Sequence, residues 1–173
     1  MPKRRTGGFS LVEVMVALFV VSVGLLGLAK MEAVALASTT VAGNRSLAAI
    51  EAASLAAMMH ANQDFWQDTA VFTSVSISGA NPYPGQDPCT QVKPCAPQGM
   101  AEADMNLWAS ALSALLPGYS AQITCTPLTA TLPVSCTIGV SWAENAVAIN
   151  SQQTTQIAAA ALNGPTYILY VQP

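Results

Sequence analysis

From Phe9 to Ala29 the chain is apolar at nearly every position, with one acid, Glu13, inside the run. About twenty such residues are close to the least that a membrane-crossing helix needs. The helical pattern need not stop at Ala29. Between Lys30 and Gln63 there is no proline and one glycine, Gly43, and alanine, the strongest helix former, is abundant. Leu47, Ile50, Leu55 and Met58 fall at roughly helical spacing, which predicts that one side of this half rests on a domain. A single helix from Phe9 to about Asn62 would run about 80 Å at about 1.5 Å per residue. Gly24, Gly27 and Gly43 are its candidate soft points. The first two could equally mark close helix packing in the membrane. Phe65 and Trp66 follow the helix and are expected to pin it to the domain.

Beyond the helix the period shortens. Val71 to Ser78 alternates around Val75 and Ile77, a weak strand signal. The stretch 79–99 carries Pro82, Pro84, Pro88, Pro94 and Pro97, and reads as loop because proline defeats helix and sheet interiors. A second helix is predicted over Ala101–Leu116, with Met105, Trp108, Leu112 and Leu115 as its apolar stripe. Glu102 and Asp104 are placed near its positive end, and Pro117-Gly118 stops it. Two strands follow. Ile123 and Cys125 share a face of the first; Val134, Cys136, Ile138, Val140 and Trp142 share a face of the second, with a turn at 129–133 between them. The stretch 144–156 reads as loop, 157–162 is ambiguous between strand and helical turn, and Asn163-Gly164-Pro165 is a turn. Thr166 to Val171 closes the chain as a strand with Tyr167, Leu169 and Val171 on one face.

Charge sharpens the picture. Lys3, Arg4 and Arg5 precede the apolar run, so that end is cytoplasmic by the positive-inside rule and the C-terminal bulk lies across the membrane. Charged residues make up only 9% of the chain, so little of its surface is guarded by charge and part of it is expected to be covered by partners. Past residue 65 the only basic side chain is Lys93, against Asp68, Asp87, Glu102, Asp104 and Glu144, which leaves no footprint for nucleic acid. Without residues 1–8 the side-chain balance is near −6.

The four cysteines are Cys89, Cys95, Cys125 and Cys136. An even count in an exported domain reads as disulfides, and four cysteines allow three pairings. Cys89 and Cys95 share one loop, and Cys125 and Cys136 face inward across a hairpin, which favours those two pairs. The spacing does not match paired zinc ligands, and the one histidine, His60, lies far off as a helix-end residue. Glu13 is the costly residue: an acid at a membrane centre costs roughly 2.5–3.5 kcal/mol, so it points to function. No nucleophile–base arrangement is visible, and no cofactor is called for.

The sequence Gly8-Phe9-Ser10-Leu11-Val12-Glu13 resembles the type IV prepilin leader junction, G-F-[ST]-L-x-E. The resemblance implies cleavage by a prepilin peptidase after Gly8 and N-methylation of Phe9. It also implies a subunit-assembly role for Glu13, the fifth mature residue. Further on, Asp104-x-x-x-Trp108, Leu116-Pro117-Gly118, Val140-Ser141-Trp142 and the terminal Tyr-Ile-Leu-Tyr-Val-Gln-Pro at 167–173 look like the PilV-type minor pilins. Met58-Met59-His60-Ala61-Asn62 is similar to their helix ending, with His60 where arginine is common.

These features predict an α+β type IV pilin fold, a long N-terminal helix packed on a small antiparallel sheet with a second short helix. Residues 1–8 are the leader. Residues 9–62 form the helix, with 9–29 as the transmembrane and assembly half and 30–62 as the domain-packing half, and 63–173 the periplasmic domain. The resemblance implies a minor pilin, first in the inner membrane and then at or near the pilus tip, in a machine of adhesion and twitching motility. Its partners would be other minor pilins, the major pilin, a tip adhesin and the prepilin peptidase. A minor pseudopilin of type II secretion is built alike. A secreted soluble protein with a conventional signal would instead be cut after Ala35-Leu36-Ala37, at Ser38.

Overall fold

The structure is a computed structural model and describes residues 8, 10–68, 74–84, 89, 94–126, 133–144 and 164–173. Helix α1 spans Leu11–Ala61 without a break, and a one-turn helix α2, Gln63–Trp66, follows. Strand β1 is Ser74–Ile77, helix α3 Pro97–Leu115, and strands β2, β3 and β4 are Ser120–Cys125, Cys136–Ser141 and Thr166–Val171. The strands lie in the order β1-β2-β3-β4, every neighbouring pair antiparallel. The protein is thus α+β: a long N-terminal helix on a small antiparallel sheet, with a shorter helix beside it.

Only the second half of α1 meets the domain. Its buried positions are Ala48, Ala52, Leu55 and Met59, spaced by four, three and four residues. The expected stripe through Ile50 is therefore corrected. Ile50 is 61% exposed, on the opposite side of the helix from Ala48 and Ala52. The indole of Trp108, itself buried, reaches α1 beside this stripe. It approaches so nearly that Trp108 Nε1 donates to the main-chain carbonyl of Glu51 at 2.8 Å.

Helix α3 starts four residues before the sequence pattern places it. Pro97 stands in its first turn after the extended Ala96, where its fixed φ suits a helix and its missing N–H would have had no helical partner. Glu102 and Asp104 consequently lie beyond the first turn, away from the positive end. The buried stripe is Ala101, Met105, Trp108, Ala109 and Leu112. Leu115 is half-exposed, and Leu116, extended at the helix end, is buried in its place. Gly118 then turns the chain at φ +60°, a left-handed conformation favouring glycine.

Strand burial follows the alternation. Ala121, Ile123 and Cys125 in β2, and Cys136, Ile138 and Val140 in β3, point into the core, with Val134 and Trp142 continuing the pattern at either end of β3. Ile123 faces Ile138, and Cys125 faces Cys136, in the β2–β3 register. β4 occupies the expected residues, with Val171 buried and Tyr167 and Leu169 partly so. β1, Ser74–Ile77, falls within the expected 71–78 stretch, of which 71–73 lie outside the described residues. The sheet's other face carries the alternate residues to solvent. The expected features at 129–132 and 145–163 lie outside the described residues.

The termini of the elements are tied by side chains. Asn62, at the α1–α2 junction, is buried and donates through Nδ2 to Pro97 O at 2.8 Å. Asn106 makes a two-bond clasp with Tyr83, accepting from its main-chain N–H and donating to its carbonyl. Phe65 and Trp66 are buried with their rings edge to face. Gln67 Nε2 donates to the Pro173 carbonyl at 2.7 Å, joining the helix end to the chain's last residue.

Candidate assembly site on the N-terminal helix

The first half of α1 is bare. From Leu11 to Ala33 every position is exposed, and Leu11, Phe19 and Leu26 each expose about 70% or more of their surface. This segment is long and apolar enough to cross a membrane by length and composition, and lies near the N-terminus. Beyond its first turn the backbone is saturated by helical bonding, as a hydrocarbon setting requires. The hydroxyl of Ser22 is also satisfied within the helix, donating to Leu18 O at 2.7 Å. Farther along, Thr39, Thr40 and Ser46 do the same one turn back. Such back-bonding hides the polar atom against the helix.

Glu13 remains as the exception. It stands in the first turn of α1, where the unpaired N–H groups favour a negative charge. No ion pair reaches its carboxylate among the described residues. Ser10 precedes the helix in extended conformation, and its carbonyl accepts from Val14 N at 3.3 Å. Gly8 is exposed, with open space around it. Phe9, the residue expected to carry the methyl group, lies outside the described residues. Gly8 and Glu13 therefore both lie at the N-terminal end of α1, remote from the domain.

The cysteines are a separate matter. Cys89 is bonded to Cys95, and Cys125 to Cys136 across the end of the β2–β3 ladder. The first bond lies over the opening turn of α3, with Cys95 Cβ 3.5 Å from where a Gly99 side chain would start. Both act on the domain and not on the bare helix. His60 is exposed in the last turn of α1. Among the described residues no cluster of histidine, cysteine and acid could hold a metal ion.

A contact that sequence reading did not find joins the two halves of the molecule. Arg45 on α1 grips Glu144 just beyond β3, Nε to Oε1 at 3.2 Å and Nη2 to Oε2 at 3.3 Å. Trp142 Nε1 donates to the same carboxylate at 3.2 Å. No local pattern signals a pair separated by about a hundred residues; the charge scarcity of the chain was the only hint. Nearer the α1–α3 contact, burial raises the carboxyl pKa values of Glu51 and Asp104 above the ordinary range. Burial, and secondarily the negative charge of Glu102, raises the Tyr83 phenol.

Residues 3–29 match the family described as the prokaryotic N-terminal methylation motif. No curated protein and no solved structure matches the chain. The motif, the apolar helix it opens and the α+β fold behind it support a type IV pilin-like protein, a class that includes pilins and pseudopilins. Membrane anchoring and processing by a prepilin peptidase go with that class, whose members are structural subunits.

Proposed function

We propose that the chain is a minor pilin of a type IV pilus that helps prime assembly and present the tip complex or adhesin. The observation that carries this reading is Glu13, an acid with no ion-pair partner among the described residues, in the first turn of a helix half that the domain leaves uncovered. Before assembly, residues 9–29 hold the chain in the inner membrane with the domain in the periplasm. Prepilin peptidase cuts after Gly8, and Phe9 becomes the methylated N-terminus. Glu13 then attracts the terminal amine of a neighbouring minor or major pilin. Removing one member of a buried charge pair costs about 3–5 kcal/mol, because the other is left uncompensated. The similarity of Asp104-x-x-x-Trp108 and the terminal strand to PilV-type sequences supports the minor-pilin reading. The same geometry would serve a type II secretion pseudopilin, so the test must separate the two machines.

Intact mass tests the processing, and the pilus preparation separates the machines. The intact mass of membrane-extracted protein should show loss of residues 1–8 with one added methyl; an N-terminus at Ser38 would refute the reading. Mass spectrometry of sheared pili should recover the chain. Absence from pili, together with a secretion defect on deletion, assigns it to the secretion machine. Glu13→Leu should leave insertion and cleavage intact and reduce co-purification with other minor pilins. Equal recovery and equal pilus number would remove Glu13 as an assembly determinant.

A further inference from the structure

The two disulfides differ in what surrounds them. Cys125 and Cys136 are buried, at 5% and 1% exposure. Cys89 and Cys95 are both half-buried, so solvent reaches that pair. Where the α1–α2 junction meets the start of α3, an open cleft of about 340 Å³ is lined by His60, Ala61, Asp64, Cys95 and Met100, among others. Cys95 is thus part of the wall of a cleft that a small molecule can enter. On the other side of the bond, Cys89 Sγ lies 4.0 Å from the main-chain carbonyl oxygen of Gly99. A disulfide sulfur has no hydrogen to donate, whereas a thiol does. Gly99 O is therefore an acceptor that Cys89 can use only once its bond to Cys95 is broken.

We propose that this cleft is a thiol-exchange site, at which a small-molecule thiol adds to Cys95. The incoming thiolate attacks Cys95 Sγ from the cleft and forms a new S–S bond. The Cys89–Cys95 bond breaks, and its electron pair goes to Cys89 Sγ, which takes a proton from water and donates it toward Gly99 O. The products are a mixed disulfide at Cys95 and a free thiol at Cys89, with no further oxidant or reductant consumed. A second molecule of the same thiol can attack the sulfur of the added group. That step releases a small-molecule disulfide and leaves Cys95 as a thiolate. Cys95 directly precedes Ala96, the residue that caps α3, so this charge stands where the unpaired N–H groups of the first turn favour it. The domain keeps its fold through the exchange because other ties hold the same region. Asn62 still bonds Pro97 O, Asn106 still clasps Tyr83, and Cys125–Cys136 stays sealed in the core. Exchange thus opens one clip at the far end of the rod, whichever machine the chain joins.

The test incubates the full-length oxidised chain in detergent with reduced glutathione, traps free thiols with N-ethylmaleimide at early times, and locates both adducts by peptide mass. Glutathione should appear on Cys95 and N-ethylmaleimide on Cys89, with Cys125–Cys136 intact. The exchanged chain should keep a single cooperative melt. Ala61 is exposed on the cleft wall, so Ala61→Trp should fill the cleft and slow the exchange about tenfold or more, with the melt of the oxidised chain unchanged. If Ala61→Trp fails to fold, the position of the adduct on the wild-type chain decides. No adduct at millimolar glutathione overturns the proposal. So does glutathione first on Cys89, opening of Cys125–Cys136 at an equal rate, loss of the cooperative melt on exchange, or undiminished exchange by a folded Ala61→Trp.

Discussion

Two of the buried positions that α1 turns to the core are alanines. Ala48 and Ala52 are fully buried on α1, and Trp108 on α3 is buried and bonds the carbonyl of Glu51, next to Ala52 in the chain. Ala52→Leu should therefore overpack the contact and destabilise the domain by about 1–3 kcal/mol, read as a lower denaturation midpoint. Trp108→Phe retains much of the apolar bulk but withdraws the donor from Glu51 O, a bond of about 0.5–1.5 kcal/mol in net terms. Asp104 gives a pH dependence. Burial raises its folded-state pKa, so the folded chain binds this proton more tightly than the unfolded chain, whose aspartate titrates near about 3.9. The stabilising share is complete below the unfolded pKa and is lost as pH rises through the folded value. Asp104→Asn should thus melt at a higher temperature than wild type at pH 7, with the gap closing toward about pH 4. An unchanged gap across that range would show that the carboxyl carries no such linkage.

At the scale of the elements, the two disulfides have different duties. Cys125–Cys136 locks the end of the β2–β3 ladder, both residues buried in the core. Cys89–Cys95 clips a short segment to the start of α3, where Asn62 also holds Pro97. Ring closure of this size is worth about 2–3 kcal/mol for either bond. Losing the hairpin bond, Cys125→Ser with Cys136→Ser, should cost more, because it also leaves two hydroxyls in an apolar core. Chemical denaturation of the two double variants compares them directly. The elements themselves were legible where periodicity is strong. β3 and β4 alternate so regularly that their inward faces could be assigned residue by residue. α3 was legible in kind but not in its start, since a cluster of prolines reads as loop and Pro97 instead occupies a helical first turn.

The whole molecule is an apolar rod with a charge-poor domain on its far half. Arg45 and Glu144 bridge rod and domain, but Arg45 is 62% exposed. Solvent screening limits such a pair to at most about 1 kcal/mol, so its role is one of placement. A double-mutant cycle with Arg45→Ala and Glu144→Ala should return no more than that. The acidic balance of the domain makes a second prediction at this scale. Phosphate contacts from lysine and arginine dominate affinity for duplex DNA and make it salt-dependent, and past residue 65 only Lys93 is basic. A gel shift at moderate salt should show no micromolar binding, and salt-sensitive micromolar binding would contradict the reading.

The sequence by itself determined what depends on neighbours along the chain. The apolar run with its one acid, the uninterrupted helix, the alternation of β3 and β4 and the N-terminal motif are local patterns, each written within a few turns or one strand. Tertiary structure alone decided which side of α1 is inside. Alanine occurs around much of that helix, so no face is distinctly more apolar than another. Ile50 reads as core by type, yet it is exposed, because two residues from Ala48 and from Ala52 it stands on the opposite side of the helix from the buried stripe. The same holds for Leu116 replacing Leu115, for Asn62 reaching Pro97, and for Arg45 meeting Glu144. Each depends on where the chain returns after a long excursion, and the energy that chooses it is packing and hydrogen bonding between segments that no local window contains.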